Sequence, residues 1–512
     1  MVAAANCAAL LGIEAIGVRV EAQIFGNLRR FSIVGLPDGV VKESKDRIRC
    51  AIENSGFSFP TREVIVSLSP ASVPKAGAAF DLPIALSILC AEGQLETKVL
   101  ERILILGELG LDGSLKPIPG AFAVSNYAQS ENFREIVLPS QTASLAALAG
   151  NVPVRAVTSL EQAIHYLRGE VELAEPDTVM TSRLANKEEL LLDDVIGQHS
   201  AKRALEICAA GGHNLLMVGP PGAGKTMLAK RLPYLLPELA TAEAIEVTQI
   251  HELAKRDISS EVALKTTRPF RFPHHSTSLV GLIGGGSIPT PGEISLAHRG
   301  VLFLDEFPEY PRSVLESLRE PLENKKITIS RANGKLEFPA DFILVAAMNP
   351  CPCGKRYTLP RACKCDAGMI TRYLNKLSGP LLDRIDLHVW TPQLPLAKLS
   401  EVTTSKEKPA VEHHTALKRI QAARAVQAKR FDTGLRLNAH LRSNEARMHC
   451  LLDQQSQEVL LAAAERFSLS ARSYTRVLKV ARTIADLAHS RQIQITHLEE
   501  ALSYRLPNHF EG

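Results

Sequence analysis

The stretch Leu215-Leu216-Met217-Val218-Gly219-Pro220-Pro221-Gly222-Ala223-Gly224-Lys225-Thr226 decides how the rest of the 512-residue chain is read. Leu215 to Val218 is an apolar run of the length of one buried parallel strand. Gly219 to Thr226 fits G-x-x-x-x-G-K-[ST] at every fixed position. Gly219, Gly222 and Gly224 let the loop, which also holds Pro220, Pro221 and Ala223, turn tightly, so that its non-proline N–H groups face inward onto phosphate oxygens. Lys225 can reach the β- and γ-phosphates, and Thr226 can ligate Mg²⁺. The spacing predicts a helix over Met227 to Leu236, whose N-terminal dipole would face the same phosphates. ATP and Mg²⁺ are the ligands this loop fits.

Two later runs extend the pattern. Gly300 to Phe307 reads G-V-L-F-L-D-E-F, a buried strand with two carboxylates at its C-terminal end, where ligands bind in open α/β sheets. Asp305 can hold the Mg²⁺ shell and Glu306 can polarise an attacking water. Phe342 to Met348 is a further apolar strand and ends at Asn349, whose amide can bond the γ-phosphate or that water. Three such strands around a phosphate loop specify an α/β domain.

Composition sets wider bounds. Hydrophobic residues make up 45% and charged residues 22%, ordinary for a globular protein, and the net charge of +4 means that any nucleic-acid binding rests on local patches. No apolar run approaches the roughly 18 residues of a membrane span. Met1 to Leu11 is mildly apolar without a basic start, which argues against a signal peptide. The nine cysteines show no disulfide framework, so the expectation is a reducing, cytoplasmic setting without membrane partners.

Residues 1–170 form a segment of their own. Strand character is read at Val18 to Ile24, Phe31 to Val34, Glu63 to Leu68, Ile103 to Leu106 and Ile136 to Leu138; helices are read at Asp38 to Ser55 and Leu82 to Ala91. Residues 171–192 are a polar linker, and a helix over Ser200 to Ala210, stopped at Gly211-Gly212, opens the segment 193–392. Residues 393–412 form a second polar linker. Helices over His413 to Phe431, Asn444 to Phe467, Ala471 to Ser490 and Thr496 to Tyr504 fill 413–512.

Several stretches resemble known families. Ser69 to Leu86 (S-P-A-S-V-P-K-A-G-A-A-F-D-L-P-I-A-L) and Gly107 to Gly120 resemble the proteolytic domain of the Lon family, which uses a Ser-Lys dyad. The matching positions are Ala79 and Phe122, so the resemblance implies a Lon-like α/β domain that lacks the dyad; Lys75 belongs to the turn. Asp193 to Gln198 resembles the D-x-I-G-Q turn of AAA+ ATPases, which packs beside the adenine, although a plain helix start reads equally well. Leu381 to Leu387 (L-L-D-R-I-D-L) resembles the arginine-finger element of MCM-type helicases and magnesium chelatases. By that resemblance Arg384 acts on a neighbouring subunit's nucleotide, the rival being an intrachain pair with Asp383 or Asp386. Leu469-Ser470-Ala471-Arg472 matches the sensor-2 element, which implies that Arg472 reaches the γ-phosphate of its own chain. Arg476 and Arg482 are read as solvated or paired.

Phe270 to Gly292, rich in Gly and Pro, cannot be one regular helix and resembles the helix-2 insert of that clade. Its adjacent His274-His275 lack metal-ligand spacing. Lys326 to Phe338 carries Asn333-Gly334 between alternating runs, a hairpin signal, at the place of the clade's pre-sensor-1 hairpin. Arg331 and Lys335 flank its tip and are candidates for DNA phosphate contacts, against a solvated hairpin with incidental charges. Cys351, Cys353, Cys363 and Cys365 fit a structural Zn²⁺ site, with a redox-sensitive loop or plain loop cysteines as alternatives.

Taken along nearly its whole length, the sequence resembles the ComM/YifB family of magnesium-chelatase-like AAA+ proteins. The resemblance implies an AAA+ P-loop core with a helical lid after the Lon-like domain, and a homo-hexameric ring. It further implies ATP-driven movement of branched or single-stranded DNA in recombination and natural transformation. A chelatase-like protein remodeller and a nucleotide-switched regulator stay open.

Overall fold

The computed structural model describes residues 2–73, 75–150, 152–176, 190–254, 264–286, 289–331, 334–357, 363–393, 411–431, 436–467 and 469–505. They fall into two compact units. Residues up to 183 form the first, together with segments 241–266 and 330–338; the second comprises 184–240, 267–329 and 339–512. Both added segments of the first unit lie, along the chain, inside the stretch 193–392.

The first unit is built on a seven-stranded mixed sheet in the order Phe31–Val34, Glu63–Ser69, Glu14–Phe25, Val2–Leu11, Ile103–Ile105, Glu135–Pro139 and Val154–Val157. The strand Val2–Leu11 sits in its middle, antiparallel to Glu14–Phe25 over its whole length, with Val2 opposite Gln23 and Leu11 opposite Glu14. Its own β-propensity is low, because half of the run is alanine. It is a strand because alternate residues, Ala3, Ala5 and Cys7, are buried under the sheet's helical cover, where small side chains fit. Helix Gly39–Asn54 begins where Asp38 accepts the Val41 N–H at 2.8 Å, and helix Asp81–Glu92 ends at Gly93 with φ +81°. The turn Gly12-Ile13 reaches the added segments of this unit: the Ile13 carbonyl accepts from Gln249 of helix Thr241–Ala254, and Gly12 faces Leu336.

The second unit holds a five-stranded parallel sheet, ordered Phe270–Arg271, Val301–Leu304, Ile343–Met348, Leu215–Val218 and Leu387–Trp390. Every residue of Leu215–Val218, Val301–Leu304 and Ile343–Met348 is buried, as a sheet covered on both faces requires. Helix His199–Gly211 covers it and stops at Gly212, φ +72°. The single helix expected over Met227 to Leu236 is two short ones, Lys225–Ala229 and Leu232–Leu235. Pro233 lacks the N–H that would bond the Ala229 carbonyl, so the first helix cannot continue through it.

The C-terminal part is helical: Val411–Phe431, Ser443–His449, Gln454–Arg466, Ala471–Leu487 and Ile495–Ser503. The expected helix Asn444 to Phe467 breaks at Cys450, because Asp453 caps a new one by accepting the Ser456 N–H at 2.8 Å. Among the described residues no helix is long and apolar enough to cross a membrane.

Candidate functional site

The C-terminal ends of three parallel strands deliver the groups singled out in the sequence to one cavity of about 550 Å³, lined by Lys225, Thr226, Asp305, Glu306 and Asn349 among others. Gly219 follows strand Leu215–Val218 at a point where a Cβ would come within 2.2 Å of the Thr391 carbonyl, so no side chain fits there. Gly224, at φ +85°, starts the helix that carries Lys225 and Thr226. The Lys225 ammonium donates to the carbonyls of Gly219 (2.6 Å) and Pro220 (2.9 Å) and to Asn349 Oδ1 (3.2 Å). Burial lowers its pKa, with the Asp305 charge opposing. Gln198, in the left-handed region at φ 54°, donates to the carbonyls of Ala223 and Pro392, which fixes the D-x-I-G-Q turn against the phosphate loop.

Thr226 Oγ1 donates to Asp305 Oδ2 at 2.7 Å, the proximity that two oxygen ligands of one Mg²⁺ shell need. Glu306 adopts φ 51° with its N–H on Asp305 Oδ1 at 2.9 Å. A non-glycine residue in that region costs roughly 1–3 kcal/mol and turns its side chain away from the strand direction. The side chain reaches His275, whose Nδ1 lies 3.2 Å from Glu306 Oε2. His275 is held over the cavity by its own loop: the Tyr310 hydroxyl donates to the Pro273 carbonyl at 2.7 Å, and the His274 and His275 rings lie with centroids 4.1 Å apart, tilted by 34°. The insert behind this loop is irregular as expected, a short helix Leu279–Ile283 followed by paired strands Gly284–Gly285 and Thr290–Pro291.

The two arginines do not join this group. Arg384 Nη2 donates to Glu323 Oε1 at 2.5 Å and Nη1 to the Pro380 carbonyl at 2.6 Å. The intrachain partner is thus Glu323 and neither Asp383 nor Asp386. Asp383 accepts from Ser473 and Ser470, and Asp386 pairs with Arg476 at 2.6 Å. Arg472, read as reaching the γ-phosphate of its own chain, does not line the cavity; it is 64% exposed and its Nη1 stands 3.7 Å from the same Glu323 oxygen. Its place at the start of helix Ala471–Leu487, capped by Ser470, directs it to the Arg384 side. Arg482 is paired with Asp486.

Strands Lys326–Arg331 and Gly334–Pro339 pair as a hairpin. Lys335 is exposed on it; the tip residues 332–333, with Asn333, and the Arg331 side chain lie outside the described residues. The sulfurs of Cys351, Cys353, Cys363 and Cys365 all lie within 4.8 Å of one another.

Sequence reasoning alone misses His275 and Glu323 as partners of the site. For His275 a signal exists in its position just after a strand edge beside the carboxylate strand; for Glu323 there is no local signal.

The sequence family described as magnesium chelatase, subunit ChlI, matches residues 191–399, its C-terminal counterpart matches 412–505, and a family described as subunit ChlI of Mg-chelatase matches 20–142. The chain is 43% identical over 500 residues to competence protein ComM of Haemophilus influenzae, covering 97% of this chain and 96% of that one. It is equally similar to YifB of Escherichia coli, at 43% identity over 500 residues with the same coverage. Lon protease 2 of Bacillus subtilis is 26% identical over 188 residues, 31% of this chain and 32% of that one. Identity sustained along almost the entire length, with magnesium-chelatase segments covering the phosphate loop and the helices after it, makes this chain a member of the ComM/YifB family of magnesium-chelatase-like AAA+ ATPases.

Proposed function

We propose that this chain works as a homo-hexameric ring that hydrolyses ATP to move DNA strands, promoting branch migration when incoming DNA is recombined. Lys225 and the loop N–H groups hold the phosphates, while Thr226 and Asp305 hold Mg²⁺. Held there, Mg²⁺ would supply positive charge against the phosphate oxygens. Glu306 takes the proton of the attacking water, and Asn349 orients that water against the γ-phosphate. Arg384, with Arg472 beside it, comes from the neighbouring subunit to stabilise charge spread over the transferring group.

One observation carries the ring reading: Lys225, Thr226, Asp305, Glu306 and Asn349 converge in one chain, while Arg384 and Arg472 share Glu323 and line none of that cavity. Each chain thus supports a site that a second copy completes. The DNA substrate is supported by the competence role named for the Haemophilus influenzae relative and by Lys335, exposed on the hairpin. The first unit is proposed as a non-proteolytic scaffold, since Ala79 and Phe122 offer neither nucleophile nor base and Phe122 is fully buried. The C-terminal helices are proposed as the lid, and a structural zinc ion on the four cysteines completes the cofactor set.

ATPase assays without DNA and with single-stranded, duplex and branched DNA test the reading; branched DNA should stimulate most. The magnesium-chelatase match favours a second reading, a protein remodeller, which stimulation by a protein partner and indifference to DNA would select.

A further inference from the structure

We propose that Cys351, Cys353, Cys363 and Cys365 bind one zinc ion, and that this closed site holds Asn349 and Pro221 in the positions that ATP hydrolysis needs. The inference rests on the reading of Asn349 and the phosphate loop as the ATP site.

The geometry of the sulfurs is that of a tetrahedron. A Zn–S bond of about 2.3 Å sets the edge of a tetrathiolate at roughly 3.8 Å. Cys351 Sγ lies 3.5 Å from Cys353 Sγ and 3.7 Å from Cys363 Sγ, and Cys353 Sγ lies 3.6 Å from Cys363 Sγ. Cys365 keeps all four within 4.8 Å, leaving room for a single ion. Disulfides would instead draw the sulfurs into pairs at about 2.05 Å. The sulfurs also receive backbone donors, Cys353 from Lys355 and Lys364 and Cys351 from Arg356, the outer bonds that orient thiolate ligands. Lys355, Arg356 and Lys364 place positive charge in the same loop, against the net negative charge of four thiolates around a divalent ion.

The site is joined to the ATP cavity by covalent and packing links. Asn349, which accepts from Lys225, lies two residues before Cys351. The turn after Cys351 is closed by the Gly354 N–H on the Cys351 carbonyl at 2.9 Å, and Gly354, at φ +73°, lies flat on the phosphate loop. A Cβ there would come within 2.6 Å of Pro221 Cδ and 3.6 Å of Asn349 Cγ. On the other side Cys365 is followed by Asp366, the cap of helix Ala367–Leu374, and Tyr373 of that helix hydrogen-bonds the Asn349 backbone. A metal that fastens Cys351 and Cys353 to Cys363 and Cys365 therefore ties the chain just after Asn349 to the chain just before helix Ala367–Leu374. Without it, the strand end that presents Asn349 and the turn that backs Pro221 lose their common anchor.

The test uses the full-length protein. Elemental analysis should find one zinc per chain and no iron, and cobalt substitution should give the absorption of a tetrahedral thiolate site. Cys363→Ser with Cys365→Ser should lose the metal. Because that variant could also fail to fold, the wild-type protein is titrated with a mercurial. Zinc release should lower the ATPase kcat by about tenfold or more, and excess thiol with added Zn²⁺ should restore it. Gly354→Ala should keep its zinc yet lose kcat, since the four thiols stay in place while its Cβ, at a left-handed position, presses on Pro221 and Asn349. Absence of stoichiometric metal, or iron in its place, overturns the zinc site. Full ATPase after complete zinc release, or in Gly354→Ala, overturns the coupling. Stoichiometric zinc in a protein without ATPase activity leaves the metal site standing and refutes the ATP reading instead.

Discussion

His275 Nδ1 stands 3.2 Å from Glu306 Oε2, so the carboxylate proposed to activate water is held by a side chain from the loop across the cavity. Glu306 needs such a hold, because its left-handed backbone leaves the side chain without the packing of a regular strand. A hydrogen bond to a charged group contributes about 1.5–3 kcal/mol. His275→Ala should therefore lower kcat by roughly tenfold with little change in ATP affinity, and His275→Gln, which keeps a donor, should recover part of that activity. Single-turnover hydrolysis measures this; an unchanged rate in His275→Ala would remove the residue from the mechanism.

Lys225→Ala should abolish nucleotide binding, because the ammonium is the only side-chain cation lining the cavity apart from its histidines among the described residues. Glu306→Gln should bind ATP normally and fail to turn it over. Equilibrium binding of a fluorescent ATP analogue, paired with steady-state hydrolysis, separates the two. Normal turnover in Glu306→Gln would sink its assignment.

Arg384 and Arg472 meet at Glu323 and not at their own chain's cavity. Arg384→Ala alone should be nearly inactive, since a finger is worth about 10³–10⁵ in rate. Mixed with Lys225→Ala protein it should regain activity, because some interfaces then pair an intact phosphate loop with an intact arginine. No recovery in well-exchanged mixtures would place Arg384 in its own chain's site.

Asp386 and Arg476 join the strand Leu387–Trp390 to helix Ala471–Leu487. Burial pushes the Asp386 carboxyl up, but Arg476, with His213 and the Asn214 N–H, outweighs it and holds the group well below its ordinary value. A carboxyl depressed in the folded state stabilises fully above its unfolded pKa of about 3.9 and loses that contribution as pH falls below it. Arg476→Ala strands a buried carboxylate and should destabilise the fold by about 3–5 kcal/mol at neutral pH. Urea unfolding measures the effect; in the variant, stability should rise as pH is lowered from neutrality toward 4, the reverse of the wild-type trend below pH of about 4. A variant as stable as wild type would show that the pair contributes nothing.

How far the sequence carries depends on whether a contact is local. Helix Gly39–Asn54 is written in its own residues, with Asp38 as cap and apolar spacing behind it. The strands Leu215–Val218 and Val301–Leu304 are equally plain, being apolar runs bounded by glycine and carboxylates. Val2–Leu11 is not, because alanine-rich sequence becomes strand only through Glu14–Phe25 beside it. Pro233 and Asp453 are visible as breakers, yet the apolar periodicity around each points to a helix that runs through them. The meeting of Arg384 and Arg472 at Glu323 spans about 60 and 150 positions, and no spacing rule reaches that far. The four cysteines are legible as two pairs, whereas the apposition of Gly354 to Pro221 exists only in the fold.

Lys335 is exposed on the hairpin formed by Lys326–Arg331 and Gly334–Pro339, and Arg331 flanks the same tip in sequence. In a ring ATPase a hairpin of this kind can touch a threaded DNA strand and move with the nucleotide state. The contacts proposed for a lysine and an arginine there are to phosphate, so binding should tolerate any base sequence and weaken with salt. Removing one phosphate interaction lowers the salt slope by about 0.7 for single strands or 0.9 for duplex. In the proposed ring one substitution would act in every subunit, though only subunits touching the strand would count. Lys335→Ala should thus weaken DNA binding, flatten its salt dependence and abolish DNA-stimulated ATPase, with basal hydrolysis and assembly intact. Fluorescence anisotropy across a salt series, with ATPase assays on the same preparations, reads all of these. If Lys335→Ala and Arg331→Ala both keep wild-type affinity, salt slope and strand movement, the hairpin is not the moving element, and the insert from Phe270 to Gly292 takes its place as the candidate.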